Sequence, residues 1–396
     1  MATPTGKRAK RLFVDEMHEI YMSHPQRVNV WKSVVEAISQ LNLQIMYLSA
    51  THPPHLHGAL LKNGSISSPI RVLRASTNRP ELGYFVFPFD VTGGKPSLRR
   101  RAISLVAALK KTLREGDRIL VFFSSTSDAD AFAWDTKCAV YHSQLGNGQM
   151  NFNLDQWDTG EQVVMAASPA AALGVDRRQV RYVLDVEPQY GLALAVQEFG
   201  RGGRDGQPAY CITLYNNHIH YITPNRKLDL DCLQSLQDYK FNMTVCRRKF
   251  LLEVMDGKAL ATTCLKTPGS NLCDVCNPDG EVFQLMKAAL DEEPKKPAGG
   301  YPGHHGPVGA LCAPLNIAQT RAPGLAHAPT SSTAIPMKAS AVPPAKPPAA
   351  VTPHAHGHGS EDDFDGFSLT SSMERAMDQV THDYFEKVSP FLSSSH

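Results

Sequence analysis

Short apolar runs alternate with helix-like stretches over the first 225 or so residues of the chain. Runs dense in Val, Ile, Phe and Tyr predict strands at 12–14, 44–48, 118–123, 138–141, 162–167, 180–186 and 210–214. One helix is written clearly between them. Ala102, Leu105, Val106, Leu109 and Leu113 form a stripe, while Arg99, Arg100, Arg101, Lys110, Lys111 and Arg114 lie elsewhere around it. Alternation of this kind predicts an α/β fold with parallel sheets and helices on both faces. In such folds ligands gather beyond the carboxyl ends of the strands.

The pattern changes twice further on. From about 226 to 290 it is helical and carries cysteines, and from about 291 to 360 it is rich in Pro, Ala, Gly and His. The second stretch has too little apolar surface to order itself and is expected to be a disordered linker. His354, His356 and His358 in it could hold a metal weakly or be mere composition. In the acidic tail, 361–396, Leu369, Met373, Met377, Val380, Tyr384 and Val388 recur at helical spacing behind a Ser371-x-x-Glu374 capping box. A short amphipathic helix is expected there, able to dock on a protein partner or on the core.

Composition adds two constraints. The chain has 396 residues and a net charge of +2, with no run of about eighteen apolar residues and no secretory pattern at its start, so a soluble intracellular protein is expected. Four of its eight cysteines, Cys246, Cys264, Cys273 and Cys276, fall within about thirty residues. In an unsecreted chain that spacing favours a tetrahedral zinc site over a disulfide framework. The plain alternative is two buried thiols beside an unrelated CxxC.

Several short segments have the residue types of phosphoryl-transfer chemistry. Asp15-Glu16-Met17-His18 follows a strand, and adjacent carboxylates at a strand tip can hold magnesium and activate water. Taken alone, the Asp-Glu pair is equally a solvated turn. Ser49-Ala50-Thr51 follows the next strand, then come Ser76-Thr77-Asn78-Arg79-Pro80 and Tyr141-His142. Segment 167–176 (Ala-Ser-Pro-Ala-Ala-Ala-Leu-Gly-Val-Asp) leads to 197–206 (Gln-Glu-Phe-Gly-Arg-Gly-Gly-Arg-Asp-Gly). Arginine's planar, permanently charged fork suits the charge that develops on a transferring phosphoryl group, although a Gly/Arg-rich loop can also simply bind nucleic-acid phosphates.

In order and spacing these segments resemble the motor of RecQ-like superfamily 2 DNA helicases, ending in that family's zinc subdomain. The resemblance covers about 1–285 and implies five parts: the distal part of lobe 1 (1–75), the complete lobe 2 (76–225), the zinc subdomain (226–290), the linker (291–360) and the tail (361–396). It implies catalytic roles for Asp15, Glu16, His18, Gln197, Arg201 and Arg204, with Arg204 as the arginine finger. Gly174 and Asp176 join Arg201 and Arg204 in nucleotide binding, while Ser49, Thr51, His142 and Ser168 contact or couple to nucleic acid. Pro169 stands where the family has Asn, removing a backbone donor at that loop. The glycines of 197–206 are expected to let the backbone approach the opposite lobe. The implied ligands are ATP with Mg2+, structural Zn2+ and DNA, both single-stranded and at duplex junctions. The implied activity is 3′→5′ unwinding in the nucleus. No GxxxxGK[ST] occurs in the 396 residues, and Gly6-Lys7 lies too close to Asp15 to serve. A motor piece that is catalytically incomplete is therefore expected. Its rival is a non-catalytic nucleic-acid-binding or partner-docking protein built on lobe 2 and the zinc module.

Overall fold

Strands of nearly continuous apolar sequence need cover on both faces, and the architecture supplies it. The computed structural model describes residues 11–292 except 23–30, 32, 39, 41–42, 67–69, 91–93, 170–174 and 218–226. Gly174, the linker histidines and the amphipathic tail lie outside the described residues.

Among the described residues two parallel sheets form. In the first, β1 (Arg11–Val14) pairs with β2 (Gln44–Tyr47), Val14 opposite Tyr47. Val14, Met17 and Ile20 pack there with Leu56 and Leu60 from the turn before and the body of helix α2 (His57–Asn63). Met17 and Ile20 flank the start of the one-turn helix α1 (Glu19–Met22).

The second sheet has six parallel strands: β3 (Leu82–Phe89), β4 (Arg118–Phe123), β5 (Ala139–Tyr141), β6 (Val164–Ala167), β7 (Val180–Val186) and β8 (Ala209–Asn216). Their spatial order is β3-β8-β7-β4-β6-β5. Strand alternation splits the core in two. Leu120 and Phe122 of β4 face one cluster, and Ile119, Val121 and Phe123 face the other. Helices α3 (Gly94–Lys110) and α4 (Thr126–Thr136) cover the second face, joined by α9 (Glu281–Asp291). The first face is covered by α5 (Asn147–Thr159), α6 (Leu192–Phe199), α7 (Lys227–Phe241) and α8 (Arg247–Met255).

β3 has no counterpart among the expected strands. Its run Leu-Gly-Tyr-Phe-Val-Phe-Pro-Phe contains Pro88, which argues against a central strand. β3 is an edge strand, where a missing donor is tolerated. Its outer side is stitched to the cysteine-bearing segment. Asp274 N–H donates to Tyr84 O at 3.2 Å, Val86 N–H donates to Asp274 Oδ2 at 3.2 Å, and Asn271 N–H donates to Pro80 O at 2.9 Å. Beyond Cys276 the chain continues into α9, which packs on α3 across the sheet from the cysteines.

Candidate functional site

The sheets meet at one buried imidazole. The chain leaves β1 through Glu16, whose φ of 50° lies in the left-handed region, a strained choice for a side chain with a Cβ. Glu16 N–H is held by Asp15 Oδ1 at 2.8 Å. The turn drives His18 inward to full burial. Gln197 Nε2 donates to His18 Nε2 at 2.9 Å, and the Thr51 hydroxyl lies 3.3 Å from the same nitrogen. An accepting Nε2 leaves the proton on Nδ1, which donates to Ser49 Oγ at 2.7 Å and has Glu16 Oε2 at 3.3 Å. Three segments far apart in sequence therefore share one side chain. Burial lowers the His18 pKa, opposed by the carboxylates of Glu16, Glu19 and Asp15.

This neutral imidazole has a measurable consequence. Its folded pKa lies below the ordinary 6.5, so the unfolded chain binds the extra proton first, and stability is lost as pH falls below that value. The melting-temperature gap between the wild type and His18→Asn is expected to narrow as pH drops from neutral to mildly acidic. A pH-independent gap would refute the neutral-imidazole assignment.

Segment 200–206 follows α6. Arg201 Nη1 donates to Val175 O at 3.2 Å. Burial lowers its pKa, as does Arg204, while Glu16, Asp176 and Glu198 oppose the shift. Arg204, the expected finger, ion-pairs with Asp176 and donates to Gly200 O at 3.3 Å. Asp176 is correspondingly held below the usual carboxylate range by Arg204. The close neighbours of Gly200, Gly202 and Gly203 all come from residues 81–209, and Gly206 has none within 4 Å. At Gly203, φ is 59°, and a Cβ would meet Gln207 O at 3.0 Å and Ala209 Cβ at 3.2 Å.

His142 and Ser168 stand apart from the imidazole. His142 is buried, with Nε2 bonded to Asp130 Oδ1 at 2.9 Å. Ser168 is buried at the end of β6, its N–H donating to Tyr141 O at 3.2 Å.

The cysteines converge. The sulfurs of Cys246, Cys264, Cys273 and Cys276 all lie within 4.8 Å of one another, with Cys246–Cys264 at 3.5 Å and Cys246–Cys273 at 4.0 Å. A tetrahedral Zn–S₄ centre with bonds near 2.3 Å needs sulfurs about 3.8 Å apart, so the set fits. Bonds from the Cys264 and Cys273 thiols hold Cys246 far below the ordinary thiol range. Burial pushes Cys276 up to about 12. The loop 265–272 between Cys264 and Cys273 is anchored at both ends. Ser270 Oγ donates to Cys264 O at 2.7 Å, and Asn271 Nδ2 donates to Glu81 O at 2.6 Å.

Three buried or half-buried arginines were not anticipated as functional. Arg79 donates to Gly200 O at 2.9 Å and Gly202 O at 2.8 Å, gripping the arginine-bearing loop from the Ser-Thr-Asn-Arg-Pro segment. Arg248 donates to Asn78 Oδ1, Arg79 O, Pro80 O, Leu82 O and Asn271 O over 2.6–3.3 Å. Arg247 chelates Asp274 at 3.0–3.2 Å. Asp256 Oδ2 receives Ser76 Oγ–H at 3.0 Å and Thr77 N–H at 2.8 Å. Two adjacent arginines directly after Cys246 were the available signal.

Residues 103–206, from within α3 through the arginine loop between α6 and β8, match the helicase conserved C-terminal domain. Several curated proteins similar to this chain are RecQ-like DNA helicases. The chain is 25% identical over 295 residues to the ATP-dependent helicase SGS1 of Saccharomyces cerevisiae, covering 70% of this chain and 19% of that protein. It is also 25% identical over 293 residues to the RecQ-like DNA helicase BLM of Xenopus laevis, covering 67% and 20%. The chain thus spans about a fifth of the length of these curated relatives. Among solved structures, S. cerevisiae Dbp5 bound to RNA and ADP BeF3 shares 15% identity, with a TM-score of 0.45 over 72% of this chain and 64% of that one. Among the described residues no helix is long and apolar enough to cross a membrane.

Proposed function

We propose that this chain is the distal part of a RecQ-type 3′→5′ DNA helicase motor, comprising the end of lobe 1 (1–75), lobe 2 (76–225) and a zinc module (226–290). On this reading it binds DNA by itself and does not turn over ATP by itself. The observation that carries it is the Gln197–His18 hydrogen bond, which joins the carboxylate turn after β1 to the helix leading into the arginine loop. That junction is what a motor needs to pass a change at one lobe to the other.

When bound, Mg-ATP supplies the phosphoryl transfer that drives such a motor. Glu16 would orient the attacking water, with Asp15 beside it toward the metal. Arg201 and Arg204 would answer charge on the phosphates, Arg204 first leaving Asp176. No GxxxxGK[ST] pattern occurs in the 396 residues, and on this reading the chain by itself would hold the β- and γ-phosphates weakly. Cys246, Cys264, Cys273 and Cys276 would hold a structural Zn2+. The same reading puts the chain in the nucleus, with the tail as a protein-docking element.

The test is binding and turnover on the purified full chain. Single-stranded DNA and a 3′-tailed duplex are expected to bind with affinity that falls steeply with salt. ATP turnover is expected to stay at background with DNA present. Absence of any DNA binding would sink the reading. Turnover abolished by Glu16→Gln or Arg204→Ala would sink its non-catalytic half.

A further inference from the structure

The two-strand sheet has one packed face and one exposed face. Side chains alternate along a strand. Val14 lies in the core cluster with Leu12, Ile45 and Tyr47 packed against it, so Arg11, Phe13, Gln44 and Met46 stand on the other side. Register makes these four neighbours: Arg11 is opposite Gln44, and Phe13 is opposite Met46. Arg11 Nε donates to Gln44 Oε1 at 2.9 Å. Beside that polar pair Phe13 is 57% exposed, Met46 38%, and Leu48, just past β2, 42%. Large apolar side chains grouped on one face mark a surface made to be covered.

The chain carries a segment suited to cover it. Residues 361–396 hold eight acidic residues against Arg375 and Lys387, a net charge of −6; the whole chain is +2, which leaves +8 on residues 1–360. At helical spacing Leu369, Met373, Met377, Val380, Tyr384 and Val388 fall in a stripe about 100° wide, with Asp383 and Glu374 on its two flanks. Such a helix draws most of its stability from packing its apolar face. Residues 292–368 separate it from α9, and a flexible chain of that length spans about 50 Å on average. Reach therefore does not limit where it docks, and the tether makes the encounter intramolecular.

Charge chooses between two apolar surfaces. The second one, Phe241, Met243 and Val245, lies between α7 and α8, on a turn where Asn242 Nδ2 donates to Val245 O at 2.7 Å. Its basic neighbours in sequence, Lys240, Arg247 and Arg248, are each 1% exposed and engage buried partners. The outer face of β1 and β2 instead begins at exposed Arg11, the last residue of the run Lys7-Arg8-Ala9-Lys10-Arg11. Of the two surfaces, a helix with acidic flanks meets opposite charge beside the sheet.

We propose that the acidic tail docks as a helix, 369–388, on the outer face of β1 and β2, with Met373, Met377 and Val380 seated on Phe13, Met46 and Leu48. This rests on the reading of the tail as a docking element and names its seat, the chain's own sheet. Docking closes the second face of the strands whose carboxyl ends lead to Glu16 and Ser49.

Hydrogen exchange over 369–388 in the full chain, read by mass spectrometry at one salt concentration, tests it. The variants are Phe13→Ser, Met243→Ser and Met377→Asp, at exposed or tail positions that do not threaten folding. Wild-type tail amides are expected to exchange at least about tenfold more slowly than those of Phe13→Ser and Met377→Asp. Met243→Ser is expected to match the wild type, and the protection is expected to be independent of protein concentration. Protection that Met243→Ser removes and Phe13→Ser keeps puts the helix on the other surface and overturns the proposal. Protection that grows with protein concentration means a second copy supplies the seat, and overturns it too. Wild-type tail amides as fast as those of Met377→Asp also overturn it. Protection that then arises only on adding an outside protein would keep the tail's docking role and discard this seat.

Discussion

Arg248→Ala is expected to destabilise the chain by about 3–5 kcal/mol, among the largest losses a single side chain here can cause. The guanidinium is 1% exposed and serves five oxygens, from Asn78, Arg79, Pro80, Leu82 and Asn271. Truncation leaves those acceptors without their donors in a site that water cannot easily refill. Each orphaned acceptor costs about 1–3 kcal/mol before relaxation, and relaxation limits the total. For a domain of this size the loss corresponds to a fall in Tm of roughly 10 °C. Arg248→Lys is expected to recover only part of it, because an ammonium has three donors and no planar fork. Differential scanning calorimetry of the three proteins checks this. A loss below about 1 kcal/mol for the alanine variant would mean that the carbonyls find other partners. The damage should reach the arginine loop, since Arg79, whose own carbonyl Arg248 holds, grips Gly200 and Gly202.

Removing zinc from the cysteine cluster is expected to have an effect at least as large. The purified chain should contain one zinc, and Cys273→Ser should contain none, as read by atomic emission. Structural zinc contributes on the order of 10 kcal/mol of binding free energy at neutral pH, released as folding energy. Cys273 is fully buried, and its neighbour Asp274 is the residue that Arg247 and the β3 backbone hold. Loss of the metal should therefore free the outer side of β3. Hydrogen exchange at residues 82–89 is expected to speed up in Cys273→Ser, with β5 and β6, at the opposite edge of the sheet, least affected. Wild-type protein that contains no zinc yet keeps its melting temperature after chelator treatment would refute the metal assignment.

Much of the sheet was legible because parallel strands buried on both faces announce themselves as apolar runs. Strands 118–123 and 180–186 fall where the pattern put them. β3 was overlooked because Pro88 reads as a breaker, and only its place at an edge makes that proline harmless. Among the candidate site residues, His18, Ser49, Thr51 and Gln197 were legible as members of three separate short motifs. Their meeting was not, since 179 residues separate His18 from Gln197.

By itself the sequence determined the periodicities, and with them an α/β sheet, the order of the motor-like segments and a cysteine set spaced for a metal. These follow from local rules: side-chain alternation in strands, helical repeats and the short reach of a CxxC turn. The tertiary structure alone decided which polar groups share a partner. It gave His18 its acceptor role, tied Arg204 to Asp176, and made Arg248 the staple between the cysteine module and the edge strand. The physical reason is that hydrogen bonding and desolvation depend on what surrounds an atom, and those surroundings come from segments far apart in the chain.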